Sequence, residues 1–327
     1  MRNNERRKQT FCFLFLLILI LMSVMAEAIK SQSRLPKKEV FDNMWLVVDF
    51  DGTCTVRDTT SVLPKLSSHL QSNGDDLEMR VSQFTKFEEH YYELYRAAQK
   101  QICPRSCTSL ENALTILDRV STKVTSKVSA SGVLRGLCVP SKDIIRIIQR
   151  EESLQEEVKL LSGCLEVLAR ARQHHGLKLA ILSINWSPSL IDAALLHPLK
   201  QEHLLDDDAS DVPIWSNSID PEGIVKLDVP GALAKKNRIM KLQEQNAHVI
   251  YVGDSSTDLA ALLAADVGIL IGGSKSTLFV TEKWGIPLMM LKDYVPVNRR
   301  SSKSIIWTTN SWQEIRDFLD KNNLRCS

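Results

Sequence analysis

Two aspartates, Asp49 and Asp51, close the apolar run in "WLVVDFDGTCT", and Gly52 follows at once. A second acidic pair, Asp254 and Asp258, stands in "GDSSTD", directly after the apolar run "HVIYV". Carboxylates can attack, move protons or hold a metal ion. Gathered in a partly dry site they repel one another by several kcal/mol, so something cationic must hold them together. An all-oxygen donor set suits a hard ion, and Mg2+ takes one or two carboxylates together with water and a substrate phosphate. No set of His or Cys residues has zinc spacing. A phosphate ester would complete both the metal's shell and the charge balance. Ser183, ending "LAILS", offers it a hydroxyl, and Lys235 or Lys236 a local cation. Lys235 is preferred, because Ile239 and Leu242 then fall at i+4 and i+7 to bury the helix behind it.

The elements that would position these residues can be read from periodicity. Met44 to Phe50 is a continuous Val-rich run, the mark of a strand covered on both faces. Strands are expected at Lys178–Ser183, Val249–Val252, Val267–Ile271 and Ser304–Thr308. Helices are expected at Cys164–Gln173, Pro188–Leu196, Ala234–Gln245, Leu259–Ala265 and Trp312–Asn322. Such alternation predicts an α/β fold with a parallel sheet and helices on both faces. Ligands then bind beyond the carboxyl ends of the strands, where Asp49, Asp51, Ser183 and Asp254 fall. From Asp58 to Ser162 the period is helical throughout, as in "FTKFEEHYYELY" and "DIIRIIQR". The expected organisation is a core of residues 44–57 and 163–327 with a helical insertion at 58–162, preceded by a polar linker at 29–43.

"DFDGT", the strand-end Ser183, a lysine ahead of the next strand and "GDSSTD" together resemble the ordered motifs of the haloacid dehalogenase superfamily. Within it, "DFDGTCTVRDTTSVL", "SGVLRGL", "LLSGCLEVLARA", "ILSINWSPSLI" and "YVGDSSTDLAALLAADVGILIG" are similar to the phosphatase half of the plant bifunctional thiamine-salvage enzyme. The chain differs from that enzyme in lacking its TenA-type portion and in carrying an apolar leader. The resemblance implies a Rossmann-like core with a helical cap inserted between the first and second motifs. It also implies that Asp49 attacks phosphorus to form an aspartyl phosphate, while Asp51 protonates the leaving alcohol and then activates water. Asp49, the backbone carbonyl of Asp51, and Asp254 would hold Mg2+, with Asp258 orienting the shell; Ser183 and one lysine would grip the phosphoryl oxygens. A carboxylate at Asp51 argues for phosphatase turnover. The expected partner is a small phosphorylated metabolite, with thiamine monophosphate the leading substrate. A pyridoxal or sugar phosphate is the second reading, and a non-catalytic binding or storage protein the third.

The bulk properties exclude other classes. The chain has 327 residues, of which 41 are basic and 39 acidic, and its net charge of +2 gives no field that would attract nucleic acid. Seven cysteines are too sparse for a disulfide scaffold. Cys103 and Cys107 could close a small loop in an oxidising lumen. Arg2, Arg6, Arg7 and Lys8 precede an apolar run from Phe11, and Ala26-Glu27-Ala28 offers a cleavage site, so residues 1–28 read as a signal peptide or signal anchor. Membrane attachment is expected only through residues 11–26, and entry is into the secretory pathway, with the mitochondrion as the alternative.

Several residues carry a plainer expectation. Tyr91, Tyr92 and Tyr95 form a helical stripe, read as core packing over stacking on a flat cationic ring. Trp186 is a candidate for the pocket mouth, Cys54 for the core, His174-His175 for a solvated helix end, and Asp206-Asp207-Asp208 for a solvated loop.

Overall fold

β1 (Met44–Val48) alternates its side chains between two apolar clusters: Met44, Leu46 and Val48 belong to one, Val47 to the other. A strand with both faces apolar must be covered on both, and each fully buried Leu or Val contributes roughly 1.5–3 kcal/mol. In the computed structural model, which describes residues 43–71, 76–102, 107–202, 204, 212–295 and 305–322, β1 is accordingly central.

After a 3-10 turn at Thr60–Val62 come α1 (Leu63–Leu70), α2 (Leu77–Gln101), α3 (Leu110–Ser131), α4 (Ser141–Arg150) and α5 (Glu152–Glu157). The chain continues with α6 (Cys164–Gln173), β2 (Lys178–Leu182), α7 (Pro188–Ile191), α8 (His197–Gln201), β3 (Ile214–Trp215), β4 (Ser218–Ile219) and β5 (Val225–Lys226). Then follow α9 (Ala232–Glu244), β6 (His248–Gly253), α10 (Leu259–Ala264), β7 (Val267–Ile271) and α11 (Lys275–Trp284). β8 (Leu288–Met290), β9 (Ile306–Thr309) and α12 (Trp312–Lys321) complete it. Seven strands form one parallel sheet in the order β3-β2-β1-β6-β7-β9-β8, and β4 and β5 make a separate antiparallel pair. Val48 lies between Ile181 of β2 and Val252 of β6, so the carboxyl ends of these three strands coincide.

The helices α1 to α5 leave the core and return to it along one neck. Thr55 bridges Leu160, Val56 N–H donates to Lys159 O at 2.8 Å, and Leu161 N–H donates to Cys54 O at 2.8 Å. Local chemistry sets several helix starts: the side chains of Ser109, Ser274 and Ser311 accept from the third residue of α3, α11 and α12. In α12 that residue is Glu314, completing an S-x-x-E signature. α9 differs, since Gly231 precedes it and has no side chain to offer.

The structure departs from the sequence reading in places. β1 ends at Val48, the expected single helix at Pro188–Leu196 runs on through a π turn into α8, and α9 starts at Ala232. His175 is not a solvated helix end: it is buried, with Nε2 at 3.0 Å from Asp320 Oδ1, because α12 packs over it. Among the described residues no helix is long and apolar enough to cross a membrane. The apolar run 11–26, most of the linker, Cys103 and Asp206-Asp207-Asp208 lie outside the described residues.

Candidate active site

β1 delivers Asp49 directly from its last hydrogen-bonded position, with Asp49 N–H donating to Val252 O at 2.9 Å. The chain then folds back on Phe50, whose carbonyl accepts from the N–H groups of Thr53, Cys54 and Thr55. Gly52 makes this turn possible twice over. Its φ is +73°, and a Cβ there would stand 2.6 Å from Asp254 Oδ2. Cys54 is buried beneath the turn, as expected, and its thiol donates to Asp49 O.

β6 delivers the second acidic pair. Asp49, Asp254 and Asp258 each bring one carboxylate oxygen within 4.8 Å of the others. The side chain of Lys235 is fully buried among them, with Nζ 2.9 Å from Asp49 Oδ1 and 2.7 Å from Asp258 Oδ1. Lys236 points the other way and pairs with Glu111. Asp258 also accepts from Tyr251 OH, and from Ser255 N and Oγ at 2.9 Å each. Asp254 accepts from Thr53 Oγ1 at 3.1 Å.

Electrostatics divides the group. Burial would raise Asp258, yet Lys235 and the Tyr251 and Ser255 donors outweigh it and hold the carboxyl below its usual value. Burial would lower Lys235, but Asp258 and Asp49 keep it firmly charged. Burial, then Asp258, pushes Asp49 up to about 6, and burial with Asp258 and Asp49 pushes Asp254 to about 8. One lysine therefore does not neutralise the cluster, which retains an excess of negative charge on oxygen donors alone. That donor set fits a hard divalent cation.

Asp51 lines the same cavity as Asp49 and Asp254 but does not belong to the group of three whose carboxylate oxygens lie within 4.8 Å of one another. Its Oδ1 accepts from Thr59 N at 2.8 Å and Thr59 Oγ1 at 2.6 Å, and its Oδ2 from Asn185 Nδ2 at 2.8 Å. Burial and the neighbouring Asp58 hold it at about 7. Ser183 is fully buried at the end of β2, where its hydroxyl accepts from Asn185 N–H. Asn185 heads an N-x-S sequon but is buried and occupied by Asp51 and Thr59, which closes it to glycosylation in the folded chain.

A cavity of about 360 Å³ opens from Asp49, Asp51 and Asp254 towards the helical insertion. Phe84, Phe87, Tyr91, Tyr92 and Tyr95 line it from α2, and Trp186 from the core. The packing expected of the tyrosine stripe holds for Tyr91 and Tyr95, and the stripe is a cavity wall as well. Helical periodicity reports which face is covered and cannot distinguish a core from a pocket. Trp186 meets Phe84 edge-on at 6.3 Å between centroids. Glu88 shares the wall; burial and Asp58 raise its carboxyl. Thr59, Asn185, Tyr251 and Glu88 were not among the sequence candidates, since no spacing rule ties them to the motifs.

A family model described as haloacid dehalogenase-like hydrolase matches residues 44–266. The bifunctional TH2 protein, mitochondrial, of Arabidopsis thaliana is 25% identical over 314 residues, covering 85% of this chain and 49% of that protein. The chain therefore spans about half the length of this relative. A CTO1 family protein of Schizosaccharomyces pombe is 23% identical, covering 84% of this chain and 98% of its own. A crystal structure of phosphoserine phosphatase in apo form overlays with a TM-score of 0.44 at 13% identity, covering 84% of this chain and 98% of that one.

Proposed function

Because the chain belongs to the haloacid dehalogenase-like hydrolases, we propose that it is a Mg2+-dependent phosphomonoesterase acting through an aspartyl phosphate, with thiamine monophosphate as substrate. The observation that carries the reading is the pairing of an acidic, lysine-held floor with an aromatic-walled cavity large enough for a small metabolite.

In this reading Asp49, held at about 6, is ionised at neutral pH and attacks phosphorus. The bond from Asp49 Oδ to phosphorus forms as the ester P–O bond breaks. Asp51, held at about 7, carries a proton for the leaving alcohol and takes one back from the water that cleaves the acyl phosphate, releasing inorganic phosphate. Thr59 and Asn185 fix its carboxyl for both transfers. Lys235 holds Asp49 in place and balances charge, and Ser183 and Lys235 would grip the phosphoryl oxygens at this strand edge. Asp49, the backbone carbonyl of Asp51, Asp254 and Asp258 would hold Mg2+. When bound, the metal neutralises charge on the phosphoryl oxygens.

The substrate follows from the walls. A flat, cationic leaving group suits tyrosine and tryptophan faces with the Glu88 carboxylate beside them. The word "mitochondrial" in the plant relative's name supports the mitochondrial alternative for the N-terminal segment, which sequencing of the mature N-terminus would decide.

The test is phosphate release from a panel of phosphomonoesters with Mg2+ or EDTA, beside Asp49→Asn. Metal-dependent release that vanishes in the variant, highest for thiamine monophosphate, is expected. Release from no ester would overturn the enzyme reading in favour of a binding protein.

A further inference from the structure

We propose that Asp118, on helix α3 of the cap, is a positioning residue that caps the helix bearing Lys235, so that seating of the cap and placement of the lysine are coupled.

The first N–H groups of any helix have no partner within it. At α3, α11 and α12 a neighbouring serine answers that need. At α9 the preceding residue is Gly231, and the acceptor comes from another part of the molecule, 114 residues away: Asp118 Oδ1 accepts from Ala232 N–H at 3.1 Å. The missing side chain at Gly231 makes room for it, since a Cβ there would lie 2.1 Å from Asp118 Oδ1. Glu111, two turns earlier on the same face of α3, pairs with Lys236 of α9. These contacts meet the first turn of α9, and Lys235 belongs to that turn. Its N–H donates to Gly231 O at 3.2 Å, so fraying at Gly231 breaks the bond that fixes the backbone of Lys235.

The neck at Cys54–Val56 and Lys159–Leu161 is the cap's covalent attachment; the Asp118 contact is separate and non-covalent. When the cap is seated, the first turn of α9 is capped and Lys235 is held towards Asp49 and Asp258. When it lifts, Ala232 loses its acceptor. The catalytic consequence rests on the phosphatase reading, whereas the structural coupling does not.

The test compares the full chain with its Asp118→Ala, Asp118→Asn and Gly231→Ser variants at pH 7. Hydrogen exchange is followed by mass spectrometry over residues 231–239, and kcat and KM are measured on thiamine monophosphate. Asp118→Ala should speed exchange in the first turn of α9, and lower kcat/KM, each about five- to tenfold, the usual worth of an N-cap. Asp118→Asn keeps an acceptor oxygen and should restore both. Gly231→Ser gives α9 a cap of its own while its Cβ displaces Asp118, so exchange should stay slow as KM rises. It also serves if Asp118→Ala fails to fold. Unchanged exchange in Asp118→Ala, or Asp118→Asn as impaired as Asp118→Ala, overturns the proposal. Wild-type protein that hydrolyses no ester overturns the phosphatase reading and leaves the exchange result to judge the coupling alone.

Discussion

Replacing Lys235 with methionine should be among the most destabilising single changes available near the site. The ammonium is fully buried, 2.7 Å from Asp258 and 2.9 Å from Asp49. At an effective dielectric constant of about 20, each contact is a gross attraction of about 6 kcal/mol, much of it offset by the desolvation of all three groups. Methionine preserves length and apolar packing, so the loss is that of a buried cation whose partners remain. Such a loss costs roughly 3–5 kcal/mol. Urea unfolding in EDTA, read by the midpoint at constant m-value, measures it. A cycle with Asp258→Asn sharpens the test. Once Asp258 is neutral, removing Lys235 strands less charge, and the double variant should be more stable than the sum of the singles by about 2 kcal/mol. Additivity to within about 0.5 kcal/mol would refute the claim that the lysine and Asp258 act as a pair. A loss below about 1 kcal/mol in Lys235→Met would refute the claim that the lysine holds the carboxylates together.

Other perturbations separate the parts of the site. Gly52→Ala should cost at least about a hundredfold in kcat, because the new Cβ meets the Asp254 carboxylate at 2.6 Å and the φ of +73° strains any L-residue; wild-type kcat would refute the fit. Glu88→Gln should lower the ratio of kcat/KM for thiamine monophosphate to that for p-nitrophenyl phosphate about tenfold, and an unchanged ratio would mean that the wall does not read charge. The Asp118 carboxyl, raised by burial to about 6 with Lys235 and Tyr95 facing it, predicts a pH effect. An acid raised on folding contributes stability that is fully present below about pH 4 and is lost as pH rises through about 6. Between pH 4 and 7, melting temperature should therefore fall in wild type relative to Asp118→Asn, by the equivalent of roughly 2–3 kcal/mol, and parallel curves would refute the assignment.

What was legible in the sequence was whatever chain-local physics determines. Val-rich runs gave the central strands, and the residues directly after them gave Asp49, Asp51 and Asp254. Helical phase pointed to Lys235 over Lys236, and the structure buries Lys235 while turning Lys236 to Glu111. Strands as short as β3, β4 and β5 carry no period, and α11 hides behind an amphipathic pattern too weak to stand out from a loop. His175 looked solvated because nothing near it in sequence announces Asp320. Asn185 and Thr59 reach Asp51 across 134 and 8 residues, separations at which residue type alone carries no information about contact.

The topology explains why one insertion borders both the cavity and the helix that carries Lys235. β1 lies between β2 and β6, so Asp49, Ser183 and Asp254 emerge together at one sheet edge. A segment leaving the chain just after Asp51 and returning before β2 leaves and rejoins at that edge. Its neck is zipped from Cys54 to Val56, only a few residues from β1 and Asp49. With the departure point fixed, α2 supplies the aromatic wall and α3 reaches the first turn of α9. A change of cap sequence can then alter the walls through Tyr91, Tyr92 and Glu88 while leaving the carboxylate floor intact. A change at Asp118 should reach the floor instead, because that residue borders the helix of Lys235 and not the cavity. Ser121, Val124, Thr125 and Val128 of α3 share the cavity lining, so the division runs between residues and not between helices: kinetic variants at Tyr91, Tyr92 and Glu88 should change substrate choice, and those at Asp118 should affect every ester alike.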